Sequence, residues 1–585
     1  MGARRLPGRR NEPALQKLTD VPYRSKQSVE EKQAPKTGFV ADIVRQFADP
    51  YAFFRELVQN SVDAGTEAVE VRIFRSESGV TRSSVTDSGQ GMSLSVLQNN
   101  LLTLFSSTKE GDSSKVGKYG VGFVSVLSTE PEEVVVETWR DGQAHRLRLF
   151  RDHSYEIERL AERPGSGTTV ALVKTTTAEE HQAHCAASLA ALRRWCRHAR
   201  VPIRVTIGEA DVEAKDRHER IDEPITLDAL VSVRVERDGD VYVVGVGRPL
   251  GISGASPARV FSGFYKGGLT LYESHSEAFA GLEHVSFKVE SSRFTHTLSR
   301  DNVRRDANMT AALDELRQIQ RDELRRALLL QITAEAAGVA AEASPAKLCA
   351  LYEAARSYAP PLGRDELCFP LTEPMGEATV MTAEELNRRT PWRKPFLVAK
   401  AKSSLSYTLN ATGYPVVLAA DHAIRETLSG LFREDALISP RTCQRVGQAY
   451  VLLEPLEEDL YKASDIRLCE EVAACLRAAR RPVSKVVLGR TSLPDKTRTG
   501  YLLPADAPRL LASADVPKRT NQFGRNRQLY LNVQTPAVRV ARRKAQAHLA
   551  AAALLLARTV VVEADGPLSE RDADALVSDY PFRQS

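Results

Sequence analysis

The chain has 585 residues, 42% hydrophobic and 26% charged, which excludes both a single core and wholesale disorder; at roughly 100–200 residues per domain, three to four folded units are expected. The net charge of +5 sits entirely in residues 1–36, where nine Lys/Arg face four acids; this reads as a basic flexible tail, and the neutral body lacks the basic face of a nucleic-acid enzyme. The longest apolar run near the C-terminus, Leu549–Ala557, is nine residues against the ~20 of a membrane span, and seven scattered cysteines without a CxxC pair fit a reduced, cytoplasmic protein with no secretory signal and no membrane partner.

In chain order, Asp49-Pro50 opens a helix over Tyr51–Ala64, Asp suiting the cap and Pro the first turn. Ala68–Phe74 alternates like a strand, and a second strand begins at Ser84–Thr86. Ser93–Phe105 is helical, the polar stretch 106–115 is a mobile loop, and Val121–Ser128 starts a helix after glycines. Val134–Trp139, Ala144–Phe150 and Thr168–Val173 are further strands. These elements predict an α/β (α+β) sandwich over residues 37–178. A helix over 186–198 and a strand from Pro202 open a middle domain, 179–460, with strands Val231–Glu236, Val241–Val246 and Val285–Glu290 and a long helix Met309–Ile332. A hinge near 335–345 divides it, and Pro395–Ala399 and Pro415–Ala419 are strands beyond. The last unit, 464–585, is helix-rich, with Ala541–Leu556 as one apolar helix suited to burial or to dimerisation.

Four motifs carry chemistry. In Arg55-Glu56-Leu57-Val58-Gln59-Asn60-Ser61-Val62-Asp63-Ala64, the residues Glu56, Asn60 and Asp63 share one helical face. An amide oxygen there suits Mg²⁺, and a carboxylate one turn away suits activation of a water; an ordinary solvated face carries the same pattern. Asp87-Ser88-Gly89-Gln90-Gly91-Met92 places a carboxylate at a strand end before glycines that let backbone approach a ligand. Asp87 there can accept from an exocyclic amine such as adenine N6, or merely form an Asp-Gly turn. Gly117-Lys118-Tyr119-Gly120-Val121-Gly122-Phe123 offers backbone N–H groups to an anion before a helix, and Gly165-Ser166-Gly167-Thr168-Thr169-Val170 turns into a strand.

In this order and spacing the four motifs resemble the N, G1, G2 and G3 boxes of the GHKL ATPase superfamily (gyrase B, Hsp90, histidine kinases, MutL). Arg55–Ala64, Asn99-Asn100-Leu101 and Gly117–Ser125 are most similar to Hsp90 and its bacterial form, the high-temperature protein G family. The resemblance implies an ATP- and Mg²⁺-binding ATPase with Glu56 as general base and Asn60 as magnesium ligand. It places Asp87 on adenine, Met92 against its ring, Asn100 near the ribose or phosphates, and Gly117, Lys118, Tyr119, Gly120, Val121, Gly122 and Phe123 around the phosphates. Thr168 supports Asp87 through water, and Asp63, Ala64, Gly89 and Gly91 complete the site. Residues 106–116 resemble the ATP lid, shorter than in Hsp90; Ser106 stands where the family usually has a lysine, with Lys109 shortly after, and both count among the expected ATP contacts.

Further on, His296-Thr297-Leu298-Ser299-Arg300-Asp301-Asn302-Val303 is similar to the middle-domain motif that carries Hsp90's catalytic arginine. The implied role of Arg300 is to reach the γ-phosphate, where a planar, permanently charged fork stabilises developing charge. Leu529–Val538 and the Ala/Leu helix after it are similar to the start of an Hsp90 dimerisation domain. The implied function is an ATP-driven chaperone, a homodimeric clamp that acts on unfolded client proteins. The alternatives are a GHKL regulator or defence protein, or a DNA-directed machine of the MutL or topoisomerase kind. The second lacks its acidic metal-binding cluster here, and a histidine kinase would need a phosphoacceptor helix. His181, His184, Cys185, Cys196 and His198 are metal-competent types, but their spacing matches no zinc pattern and fits core cysteines and a polar helix face.

Overall fold

Alternation builds the first sheet. Strand β1 (Val69–Arg75) buries Val69, Val71 and Ile73 and turns Glu70 and Arg72 outward, the two-residue period of a sheet covered on one face. It pairs with β2 (Val80–Asp87), and the chain returns through α2 (Gly120–Val124), β3 (Glu133–Arg140), β4 (Gln143–Phe150), β5 (Tyr155–Leu160) and β6 (Gly167–Thr175). The computed structural model describes residues 49–101, 120–152, 154–209, 216–248, 260–297, 302–433, 441–493, 498–516, 523–571 and 573–574.

Two elements past residue 178 belong to the same sheet. The helix α3 (Ala178–Cys196) leads to β7 (Ile203–Glu209) and β8 (Arg217–Ile221), and the eight strands stand in the order β5-β4-β3-β6-β2-β1-β7-β8. All neighbours are antiparallel except β1 and β7, and α3 is the crossover that a parallel pair requires. The expected domain edge at 178 is therefore not an edge of this sheet. Phe53, Phe54, Leu57 and Val58 of α1 (Phe53–Asp63) share one core with Leu189, Leu192 and Trp195 of α3 and the inward valines of the sheet. Each such side chain stabilises the fold by roughly 1.5–3 kcal/mol on burial.

Helix α3 begins eight residues before the expected 186. Thr177 accepts from the Glu180 N–H at 3.2 Å, and Glu180 accepts from the Thr177 N–H at 2.8 Å, a capping box that fixes the start. The first two turns are polar (Glu179, Glu180, Gln182), which hides them from a search for apolar periodicity.

By compactness the chain divides into two units, residues 1–225 with 264–272 and 290–306, and residues 226–263, 273–289 and 307–585. In the second, Val231–Arg237 and Asp240–Val246 form an antiparallel hairpin. The long helix runs from Ala307 through a π-turn at Gln320–Leu324 to Ala340, and the next begins at Ala346. Most of the expected hinge at 335–345 is thus helical. A five-stranded sheet follows in the order Ala378–Thr382, Cys368–Met375, Val416–Leu418, Phe396–Ala399, Cys443–Arg445.

A last five-stranded sheet takes its fourth strand, Tyr450–Pro455, from before the expected boundary near 460. Its other strands are Gly500–Pro504, Gly524–Asn532, Val483–Thr491 and Leu510–Ala512, flanked by helices Ala463–Ala478, Pro536–Lys544 and Leu549–Asp565. The single apolar helix expected over Ala541–Leu556 is two helices, because the backbone leaves helical geometry at His548 (φ −139°). Among the described residues no helix is long and apolar enough to cross a membrane.

Candidate functional site

The C-terminal half of α1, the turn after β2, α2, β3 and β6 enclose a cavity of about 400 Å³, the size range of small-ligand sites. Leu57, Val85, Met92, Val96, Phe123, Val136 and Val170 make its walls apolar, and Asn60, Ser61, Asp63, Asp87, Gln90, Arg140 and Thr168 are its polar groups. A flat, mostly apolar heteroaromatic ring with a few polar edges fits such a slot.

Asp87 ends β2 and stands in register with Thr168 of β6, which is in turn opposite Thr138 of β3. Its carboxylate accepts from the Gly89 N–H at 2.9 Å and from the Ser61 hydroxyl at 3.2 Å. Burial raises its pKa above the ordinary value, opposed by those two hydrogen bonds and by one from the Thr168 backbone. The glycines follow from close approach. A Cβ on Gly89 would lie 2.6 Å from the Ala64 Cβ and 2.7 Å from the Ala64 carbonyl oxygen, where α1 ends against the turn and Ala64 accepts from the Gln90 N–H at 2.9 Å. Gly91 has φ +63°, and a Cβ there would lie 2.2 Å from the Trp139 carbonyl oxygen. The turn can thus pass beneath the cavity only as glycine at both positions.

On α1, Asn60 and Asp63 are exposed and line the cavity with Ala64; Asp63 accepts from the Gln59 amide at 2.8 Å. An amide oxygen at the rim is a hard donor of the kind Mg²⁺ takes alongside several waters. Glu56, one turn earlier, is buried and does not line the described cavity. It pairs with the buried Arg55 at 3.2 Å, and the Arg55 guanidinium lies 4.8 Å from the centre of the Trp195 ring. Trp195 in turn donates to Asp49 at 2.9 Å, and Asp49 accepts from the Tyr51 N–H at 2.9 Å. Asp49 does not cap α1 as expected, for the helix begins at Phe53 after a turn with Ala52 at its N-cap; it anchors instead the α3 residue that backs the Arg55–Glu56 pair.

Met92 lines the cavity, and its N–H donates to the Thr138 hydroxyl at 2.7 Å. Gly120, Val121, Gly122 and Phe123 open α2, with Phe123 on the wall. Asn100 lies in the π-turn Leu97–Leu101, its side chain outside the described residues. Ser106, Lys109, Gly117, Lys118 and Tyr119, with the lid stretch 106–116, lie outside the described residues as well. So does Arg300; on either side of it His296 bridges Val303, and the Thr297 N–H donates to the Asn302 carbonyl at 3.0 Å.

The histidines of α3 are held by hydroxyls. His181 Nδ1 is 2.9 Å from the Thr81 hydroxyl, while His184 lies between the Ser83 hydroxyl at 2.7 Å and the Tyr51 hydroxyl at 3.1 Å. His198 meets the Glu223 carbonyl at 2.9 Å. Burial pushes the thiols up, Cys185 to about 11 and Cys196 to about 12, as in packing cysteines. Burial, His181 and Lys174 lower His184 to about 4.

That shift has a measurable consequence. Between pH 6.5 and 4 the unfolded chain protonates His184 and the folded chain does not, so the stabilisation is whole above pH 6.5 and is lost as pH falls toward 4. It amounts to about 3 kcal/mol in full. Urea unfolding followed by tryptophan fluorescence is expected to show this loss, and His184→Asn to flatten the profile over that window.

Three residues of the site carried no sequence signal of their own. Ser61 is one more polar residue on α1, Thr138 one more β-branched residue in a strand, and Arg140 one more exposed arginine. Gly167 belongs to a motif, but its use emerges only in three dimensions: a Cβ there would lie 2.4 Å from the Asp87 carbonyl oxygen and 2.5 Å from the Trp139 ring.

Residues 53–178 match the family model described as histidine kinase-, DNA gyrase B-, and HSP90-like ATPase. No curated protein matches the chain. The matched residues contain the cavity, α1 and the Asp87 turn, and residues 53–178 are accordingly an ATP-binding domain of the GHKL ATPase superfamily.

Proposed function

We propose that this chain is an Hsp90-like, ATP-driven molecular chaperone, a homodimeric clamp that closes on ATP, reopens after hydrolysis and acts on unfolded client proteins. The observation that carries the nucleotide part is the apolar slot closing on Asp87, with Asn60 at its rim and Glu56 one turn earlier on the same helix. In this reading Asp87 accepts from the adenine amine and Asn60 contributes an amide oxygen to Mg²⁺, which when bound neutralises phosphate charge. Glu56 takes a proton from a water as the water oxygen attacks the γ-phosphorus; the bond to the β-phosphate oxygen breaks, and ADP and phosphate leave. Arg300 stabilises the transferring phosphoryl group.

The Hsp90-like assignment is supported by the wording of Arg55–Ala64, of Asn99-Asn100-Leu101 and of His296–Val303, whose end residues His296 and Val303 are bridged. For the dimer, helix Leu549–Asp565 leaves Leu555 and Val562 45% and 41% exposed. They are two turns apart on one face, a seam suited to a second copy.

The test is steady-state hydrolysis at saturating Mg-ATP by the wild type and Arg300→Ala. The variant is expected to lose about 100-fold in turnover and to keep its nucleotide affinity. Equal rates would remove the reason to extend the Hsp90 likeness beyond the ATPase domain, leaving a GHKL module with another output. Sedimentation equilibrium at micromolar concentration checks the dimer, which a monomer would refute.

A further inference from the structure

The cavity wall formed by β3 carries a cation. Alternation along this strand puts Val136, Thr138 and Arg140 on one face, and both Val136 and Arg140 line the cavity that Asp87 lines. The strand end is held in place: the Trp139 ring packs against Gly167, and the Arg163 guanidinium lies 3.6 Å from its centre.

Asp87 supplies an acceptor, but the ring nitrogens of a buried base are themselves acceptors and need donors. The side chains nearest Asp87 have spent theirs. The Ser61 hydroxyl goes to the Leu57 carbonyl at 2.9 Å and to Asp87 at 3.2 Å. Thr138 accepts from the Met92 N–H at 2.7 Å and donates to the Gly167 carbonyl at 3.2 Å. In its 3.2 Å contact with Thr168 either hydroxyl can donate. Apart from the Thr168 hydroxyl, the side-chain donors remaining among the described lining residues are the exposed amides of Asn60 and Gln90, and Arg140, the cation among them. The ion-pair partner of Arg140 is its neighbour Asp141 at 3.3 Å, itself 87% exposed, and such a pair exchanges at little cost.

We propose that Arg140 is a specificity-determining residue that reads the base edge. Its guanidinium donates to a purine ring nitrogen flanking the exocyclic amine that Asp87 accepts. Acceptor and donor together match the amine-plus-ring-nitrogen edge of a 6-aminopurine. In guanine a carbonyl replaces that amine and would face the Asp87 carboxylate. The assignment rests on the proposed ATP site.

The experiment is calorimetric titration of the full chain with the magnesium complexes of ATP, 1-deaza-ATP and 7-deaza-ATP, for wild type, Arg140→Ala and Asp87→Asn. Arg140→Ala is expected to weaken ATP by about 10-fold or more, and to weaken one of the two deaza analogues by less than about twofold, because the nitrogen it served is already gone. Equal weakening of all three would mean a charge acting on the phosphates, and no weakening would mean a surface arginine; either overturns the proposal. If the wild type fails to bind ATP, or Asp87→Asn binds it unimpaired, the ATP site itself falls and this inference with it.

Discussion

Asp87→Asn is expected to weaken ATP binding by about 100-fold or more, while the ligand-free protein melts no lower than the wild type. Both carboxylate oxygens already accept from the protein, one from the Gly89 N–H and one from the Ser61 hydroxyl. An amide can present only one oxygen. Turned toward Gly89, it sets its NH₂ against the incoming amine, while Ser61 Oγ, whose proton can go to the Leu57 carbonyl at 2.9 Å, can accept from that NH₂ in the ligand-free protein. Turned toward Ser61, it sets the NH₂ against the Gly89 N–H. A donor facing a donor in a buried slot costs about 1–3 kcal/mol, and the loss of a charged acceptor adds to it.

The apo protein responds differently, because burial raises the Asp87 pKa. Around that raised value the folded state binds more protons than the unfolded state. The ionised carboxylate thus opposes folding at neutral pH, and stability at this site grows as pH falls through the folded pKa. Asparagine removes the charge and its penalty. ATP binding itself should weaken on acidification at a pH above the usual aspartate range. Calorimetry and thermal melts at neutral pH check both halves; ATP binding by Asp87→Asn within twofold of wild type would defeat the adenine assignment.

Glu56 gives the second large effect, and the choice of substitution matters. Glu56→Gln is expected to lower turnover by about 10²–10⁴ with ATP affinity near wild type, since Glu56 does not line the described cavity. The fold should persist, because a glutamine oxygen can still accept from Arg55. Glu56→Ala is expected to lose the same activity and also some stability, for it removes the carboxylate 3.2 Å from the buried Arg55 guanidinium. The Trp195 ring beneath the guanidinium offsets part of that. Turnover by Glu56→Gln close to the wild-type rate would remove Glu56 from the role of general base.

How far the sequence could be read depended on the length scale of each signal. The alternating valines of β1, the run of buried valines in β3 and the apolar stripe of α1 were legible because each signal is complete within a few positions. The edge strand β5 (Tyr155–Leu160) was not, because its alternation of Tyr155 and Ile157 with Glu156 and Glu158 is short, mostly polar and only partly buried. The start of α3 was hidden for the same reason: two polar turns show no apolar period, although its capping box Thr177–Glu180 is a local signal that a closer reading finds.

By itself the sequence marked the segments expected to build a nucleotide site, and residues of three of them, Asn60, Asp87 and Thr168, line the cavity. Asp87, the glycines after it, and the Glu56–Asn60 spacing are local patterns whose chemistry needs no distant partner to be recognised. Only the tertiary structure decided what surrounds them. Sheet register sets Thr168 and Thr138 beside Asp87. A crossover through α3 brings Trp195 under Arg55 and carries the sheet on to β7 and β8. Strand alternation delivers Arg140 to the wall of the same cavity. Contacts such as these join residues tens to more than a hundred positions apart, and the residues at their ends look ordinary in sequence because their role is set by neighbours that no local pattern encodes.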